Sequence, residues 1–194
     1  MKHALFAALI AAAPLCAQEA LPDFATCLDS DMAQFERSLR ALQTLPEPRE
    51  FEIGDTRGVG WCGSAGIIAC DRSETPYPCQ HRLAALQEAT RRAVLDSLPP
   101  PESLPDAPGD WAAPLYPRVY ALAHGLSAGP DCDGATEARG AWCAAWEANN
   151  RLRDAVLAHQ LARYFGVTAP AVDLGWAQVP PPVRPVARNA EGGE

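Results

Sequence analysis

The chain has 194 residues, and its 24 acidic side chains outnumber its 16 basic ones, which gives a formal net charge of −8. Binding to nucleic acid or to an anionic lipid surface requires clustered positive charge, whereas the arginines of this chain are scattered without a basic run. Composition and charge therefore exclude nucleic acid as a partner and give no basis for adsorption to a membrane.

The first 17 residues have the pattern of a cleavable secretion signal. Lys2 supplies the positive charge, residues 5–14 supply an apolar run, and Ala17 is the small residue at the cleavage site. The apolar run is much shorter than the roughly 20 residues that span a bilayer. Lipoprotein processing at Cys16 is the alternative, but the three residues before it fit that pattern poorly. We therefore predict a cleaved signal peptide over residues 1–17 and a periplasmic or secreted bacterial protein without a membrane span.

Six cysteines remain after the signal peptide, and an even number of thiols in an exported chain predicts three disulfides. Proximity favours the pair Cys132–Cys143. Of the other four, we favour Cys70–Cys79, which joins a glycine-rich segment to the second helix, and Cys27–Cys62, which ties the first helix to that segment. The alternative is zinc bound by Cys62, Cys70, Cys79 and His81, but their spacing matches no short paired-ligand motif. We predict no metal and no cofactor.

Apolar residues at helical spacing predict about four helices. The first covers residues 29–45 and ends before Pro46, and the second covers residues 76–98 and ends before three consecutive prolines. A short third helix covers residues 117–126. The longest begins near Thr136 and ends at Gly166.

The connections between these helices are rich in glycine and proline. Residues 51–74 contain a glycine every few positions and predict an ordered, disulfide-closed loop, in which only residues 66–70 could form a short strand. Residues 99–117 predict an extended proline-rich crossover. The predicted fold is therefore mostly α, with a single domain over residues 18–168 and a proline-rich, largely disordered tail over residues 169–194.

A catalytic interpretation centres on His124. This residue precedes a loop that contains Asp131 and Asp133, either of which could supply a carboxylate partner for acid–base chemistry. The same loop resembles a calcium loop only in part, because the ligand positions at Ala135 and Trp142 are unsuitable. A hydrolase acting on cell-envelope material is the enzyme hypothesis that this pattern allows.

A binding interpretation centres on the longest helix. Trp142 and Trp146 are four residues apart and share a face, and Asn149 and Arg153 could add polar donors beside a cleft for a sugar or a peptide. Packing of the two tryptophans in the core is the simpler explanation of the pattern. We favour a binding or envelope-associated protein over an enzyme, with an envelope component, a protein or a small ligand as its partner.

Overall fold

The fold is mostly α-helical, as the sequence predicts. A computed structural model describes residues 21–44, 55–104, 113–125, 129 and 132–182, and these ranges contain five α-helices and no strand. The helices are α1 (Phe24–Thr44), α2 (Arg57–Asp71), α3 (Pro76–Asp96), α4 (Tyr116–His124) and α5 (Glu137–Tyr164). Short 3-10 turns cover Pro101–Ser103 and Ala113–Leu115. The predicted signal peptide lies outside the described residues.

The longest helix, α5, is the centre of the domain. It packs against α2, α3 and α4, while α1 packs against α2. Leu152, Ala155 and Val156 of α5 are completely buried. The helix begins where the sequence predicts, because the Thr136 hydroxyl accepts a hydrogen bond from the Arg139 N–H at 3.4 Å. None of the helices in the described ranges has the length and apolar character needed to cross a bilayer.

The prediction of a loop over residues 51–74, with a possible short strand at residues 66–70, is wrong for residues 57–71, because this stretch forms helix α2. Its glycines lie at close contacts with three neighbouring helices. A side chain at Gly58 would clash with Asp31 of α1, one at Gly63 would clash with Asn149 of α5, and one at Gly66 would come within 2.9 Å of Leu83 of α3. Glycine weakens an isolated helix by about 1 kcal/mol per residue, but here its small size lets the backbones approach.

Three disulfides join these elements, with the pairing that the sequence favours. Cys27–Cys62 connects α1 to α2, Cys70–Cys79 connects the end of α2 to the start of α3, and Cys132–Cys143 connects the loop before α5 to that helix. Their Cα–Cα distances are 5.5, 5.3 and 6.5 Å respectively. Helix α2 is therefore bonded to both of its sequence neighbours.

The packed chain continues past residue 168, where the sequence analysis places the end of the domain. Residues 168–180, here called the C-terminal segment, return along α1. Ala171, Trp176 and Ala177 of this segment are buried, and the Gln178 N–H donates to Asp29 Oδ1 at 2.8 Å. The segment consists of turns and bends rather than a helix. Its prolines are therefore compatible with its packing against the domain. Residues 183–194 of the predicted tail lie outside the described residues.

The contact at Gly63 yields a test of the packing. We expect Gly63→Ala to lower the free energy of unfolding by about 2 kcal/mol, because its methyl group must displace the buried Asn149 amide. Gly140 lies in α5 with no neighbouring atom within 4 Å of an added Cβ, so Gly140→Ala should raise that free energy by about 0.5 kcal/mol. Urea titration of the oxidised protein measures both changes. Equal effects of the two substitutions would contradict this account of α2.

Candidate functional site

A groove of about 450 Å³ lies between α1 and the C-terminal segment. Helix α1 lines it with side chains that fall on one face: Met32, Ala33, Glu36, Arg37 and Arg40. Because the helix rises 1.5 Å per residue, this face extends for about 12 Å along the groove. The C-terminal segment provides the opposite wall with Pro170, Ala171, Val172, Asp173, Val179 and Pro180.

Most of the groove surface is aliphatic. Met32 and Ala171 are buried at its base, whereas Val172 and Val179 remain 37% and 76% exposed. A flexible methionine side chain can adapt to ligands of different shape. Exposed aliphatic side chains beside such a base are typical of a surface that binds an apolar group.

A largely buried ion pair joins the two walls. Arg163 of α5 binds Glu36 of α1 through two hydrogen bonds, Nε to Oε1 at 2.7 Å and Nη2 to Oε2 at 2.9 Å. Its third nitrogen donates to the Thr168 carbonyl at 2.7 Å. The hydrogen bonds with Glu36, assisted by the charge of Asp173, raise the pKa of Arg163 above its usual value. One guanidinium therefore holds α1, α5 and the C-terminal segment together.

The two arginines that line the groove are exposed. Arg37 and Arg40 lie on its α1 side, and neither guanidinium forms a hydrogen bond or an ion pair with another residue in the described ranges. Both groups are therefore available to an anion that enters the groove.

The buried side chain of His159 in α5 packs against the C-terminal segment. Its ring meets the Trp176 ring edge-to-face, with 4.8 Å between the ring centroids. Burial lowers the pKa of His159 to about 4, and neither ring nitrogen has a hydrogen-bond partner among the described residues. The neutral imidazole acts here as an aromatic packing group.

The four side chains that the sequence proposes for a binding cleft occupy one stretch of α5. Trp142 and Trp146 stack with their centroids 5.5 Å apart, and both pack half-buried against the core. Asn149 is buried against Gly63 and accepts a 3.4 Å hydrogen bond from Gln87. Arg153 lies 3.6 Å from the position that a side chain at Gly60 would take. Asn149 and Arg153 are thus part of the α2–α5 contact, and a ligand would have to displace α2 to reach Asn149.

The proposed catalytic residue His124 is exposed at the end of α4. Its Nδ1–H donates to the Tyr120 carbonyl at 2.9 Å, and its ring lies 4.1 Å from the Tyr120 ring. Asp131 lies outside the described residues, and Asp133 is exposed in the turn before α5. A partnership between His124 and either aspartate therefore stays a prediction.

The metal alternatives receive no geometric support. Cys62, Cys70 and Cys79 are bonded to other sulfurs and offer no thiolate to zinc. The structure as described also contains no group of three histidine, cysteine or carboxylate side chains that could hold an ion.

Comparison with known proteins gives no match. No family model, curated protein sequence or solved structure matches the chain. The groove is therefore the feature of the molecule from which a function can be inferred.

The sequence does not distinguish the groove residues from other surface residues. Glu36, Arg37 and Arg40 have the polar spacing of an ordinary exposed helix face, and the opposite wall begins only at Pro170, 130 residues after Arg40. The five prolines beyond residue 169 instead predict a disordered tail. No local signal in the sequence marks the place where the two meet.

The buried His159 predicts a specific pH dependence. In the folded protein this imidazole stays neutral down to about pH 4, whereas in the unfolded chain it takes up a proton near pH 6.5. Its stabilising contribution is therefore complete above pH 6.5 and is lost as the pH falls through 4. Between neutral pH and pH 3.5, we expect the unfolding free energy of the unmodified protein to decrease by about 3 kcal/mol more than that of His159→Phe.

Urea titrations across this pH range measure the difference. His81→Phe is the matched control, because His81 is exposed on α3, and it should keep the pH profile of the unmodified protein. Parallel profiles for the unmodified protein and His159→Phe would contradict the assignment.

Proposed function

We propose that the protein is an exported, disulfide-stabilised binding protein and that the groove between α1 and the C-terminal segment holds its ligand. The observation that carries this proposal is the exposed aliphatic surface of the groove beside Arg37 and Arg40, which form no ion pair with any residue that the structure describes. Ligand sites are commonly concave and mostly apolar, with volumes of about 300–1,000 Å³ and a few polar groups that orient the ligand. The partner would be a component of the cell envelope or a small molecule in the same compartment.

Export is supported by the disulfides together with the leader pattern. Disulfides persist in oxidising compartments and are rare where thiols are kept reduced. All six cysteines after residue 17 are paired, and residues 1–17 have the composition of a cleavable signal.

The alternative is a cell-envelope hydrolase that uses His124 with Asp131 or Asp133. Acid–base catalysis requires the imidazole to meet a carboxylate or a substrate atom in a shared cavity. Both contacts of His124 described above are to Tyr120 of its own helix, so the groove remains the better-supported site.

Export can be tested by mass spectrometry of the protein expressed from its full sequence in a bacterium with a periplasm. We expect a periplasmic product that begins at Gln18 and lacks six hydrogens relative to the reduced chain, because three disulfides remove two hydrogens each. Alkylation without reduction should add no label. A control that lacks residues 2–17 should stay in the cytoplasm. Retained leader residues, an acylated Cys16 or free thiols would contradict the proposal.

Ligand binding at the groove can be tested with a neutral fluorescent probe, N-phenyl-1-naphthylamine, whose emission rises in apolar surroundings. We expect the unmodified protein to bind it, and we expect Ala33→Trp to weaken binding at least about tenfold, because the indole occupies the groove. Ser38→Trp is the matched control, since Ser38 is another small residue of α1 that is exposed and does not line the groove. Absence of binding, or equal binding by both variants, would refute the groove as the ligand site.

A further inference from the structure

We propose that the groove binds an amphiphile with a single negative charge, whose carboxylate meets Arg37 and Arg40 while its aliphatic chain lies along Met32, Ala33 and the valines of the C-terminal segment. This inference rests on the proposed function and names the chemical class of the ligand. It follows from the distribution of charge and apolar surface along the groove.

The groove is apolar at one end of the α1 face and positively charged at the other. Met32 and Ala33 lie at one end of the α1 face, whereas Arg40 lies eight residues beyond Met32, about 12 Å along the helix axis. A ligand that satisfies both ends must therefore be apolar at one end and negatively charged at the other. A fully apolar ligand would leave the guanidinium groups without a partner, and a small polar anion would leave the aliphatic wall exposed to water.

The charge at the polar end is positive although the protein is acidic. Glu36 is neutralised by its two hydrogen bonds with Arg163, and Asp173 acts electrostatically on the same guanidinium. Within the described part of the chain Arg37 and Arg40 form no ion pair, so their two positive charges exceed the one negative charge that remains on Asp173. They are three residues apart on one helix face, where like charges repel. A carboxylate placed between them relieves that repulsion.

The same charges favour a single negative charge on the ligand. Asp173 lines the groove together with the two arginines, so a doubly charged headgroup such as a phosphate monoester would meet this carboxylate as well. Electrostatic repulsion from Asp173 opposes the second charge. A carboxylate carries one charge and matches the planar guanidinium donors.

The lining also favours an aliphatic chain over an extended peptide. A bound peptide must pair its backbone N–H and C=O groups, or their burial costs free energy. The α1 wall has its backbone groups engaged within the helix, and Pro170 and Pro180 of the opposite wall have no N–H to donate. An alkyl chain has no polar groups to satisfy in this surrounding.

Displacement of the neutral probe by decanoate and by decanol tests the inference. Both have the same chain length and are used below the concentrations at which they aggregate. We expect decanoate to displace the probe from the unmodified protein at about tenfold lower concentration than decanol, because two partly exposed charged contacts contribute about this factor. This preference should decrease as salt is added.

The double variant Arg37→Gln/Arg40→Gln should lose the preference for decanoate over decanol, with both displacements measured against that variant's own affinity for the probe. Arg82→Gln is the matched control, because Arg82 is an exposed arginine on α3, and it should keep the preference. Decyl phosphate, present mainly as the dianion at pH 8, should bind more weakly than decanoate.

The outcomes separate this inference from the proposed function. Probe binding without a preference for decanoate, or a preference that survives in the double variant, would overturn the inference and leave the groove as a binding site. Stronger binding of decyl phosphate, or displacement by an acidic peptide but not by decanoate, would also overturn it. Failure of the probe to bind at all would overturn both.

Discussion

The close approach of α2 to its neighbours is the constraint on which the rest of the structure depends. Glycines at three positions of this helix leave room for Asp31 of α1, Asn149 of α5 and Leu83 of α3. Two disulfides then bond the same helix to α1 and α3. The position of α1 follows from that of α2, and one wall of the groove is a face of α1. A methyl group added at one of these glycines would therefore shift α1 and change the groove, although the glycine itself does not line it.

The second wall depends on α5. His159 and Arg163 are four residues apart and lie on the same face of that helix. The histidine supports Trp176 through an aromatic contact, and the arginine binds both Glu36 and the Thr168 carbonyl. Packing and charge thus hold the C-terminal segment at two successive turns of α5. The shape of the groove therefore depends on contacts with the core of the domain, although its arginines and valines are exposed at the surface.

Two ionisable groups, the buried His159 and the partly buried Asp31, respond to pH with opposite sign. His159 contributes stability that is lost as the pH falls from 6.5 through about 4. Burial, and secondarily the charge of Asp55, raise the pKa of Asp31 to about 6, so its contribution is present below pH 3.8 and is lost as the pH rises through 6. The two contributions offset each other over the same range. Both pKa shifts arise mainly from burial in the packing around α2 and α5.

The sequence by itself determined the helical class and the ends of α5, and it favoured, without fixing, the three disulfide pairs that the structure contains. These depend on interactions that are local or nearly so: a Thr136 cap, a glycine at the helix end, and cysteines separated by 9 and 11 residues in two of the pairs. Only the tertiary structure decided that residues 57–71 form a helix and that the chain beyond residue 168 packs. Glycine and proline both disfavour a helix in isolation. The glycines of α2 are tolerated because side chains of neighbouring helices fill the space beside them, and the prolines of the C-terminal segment lie outside any helix. The groove was decided in the same way, since its walls are distant in sequence and meet only after folding.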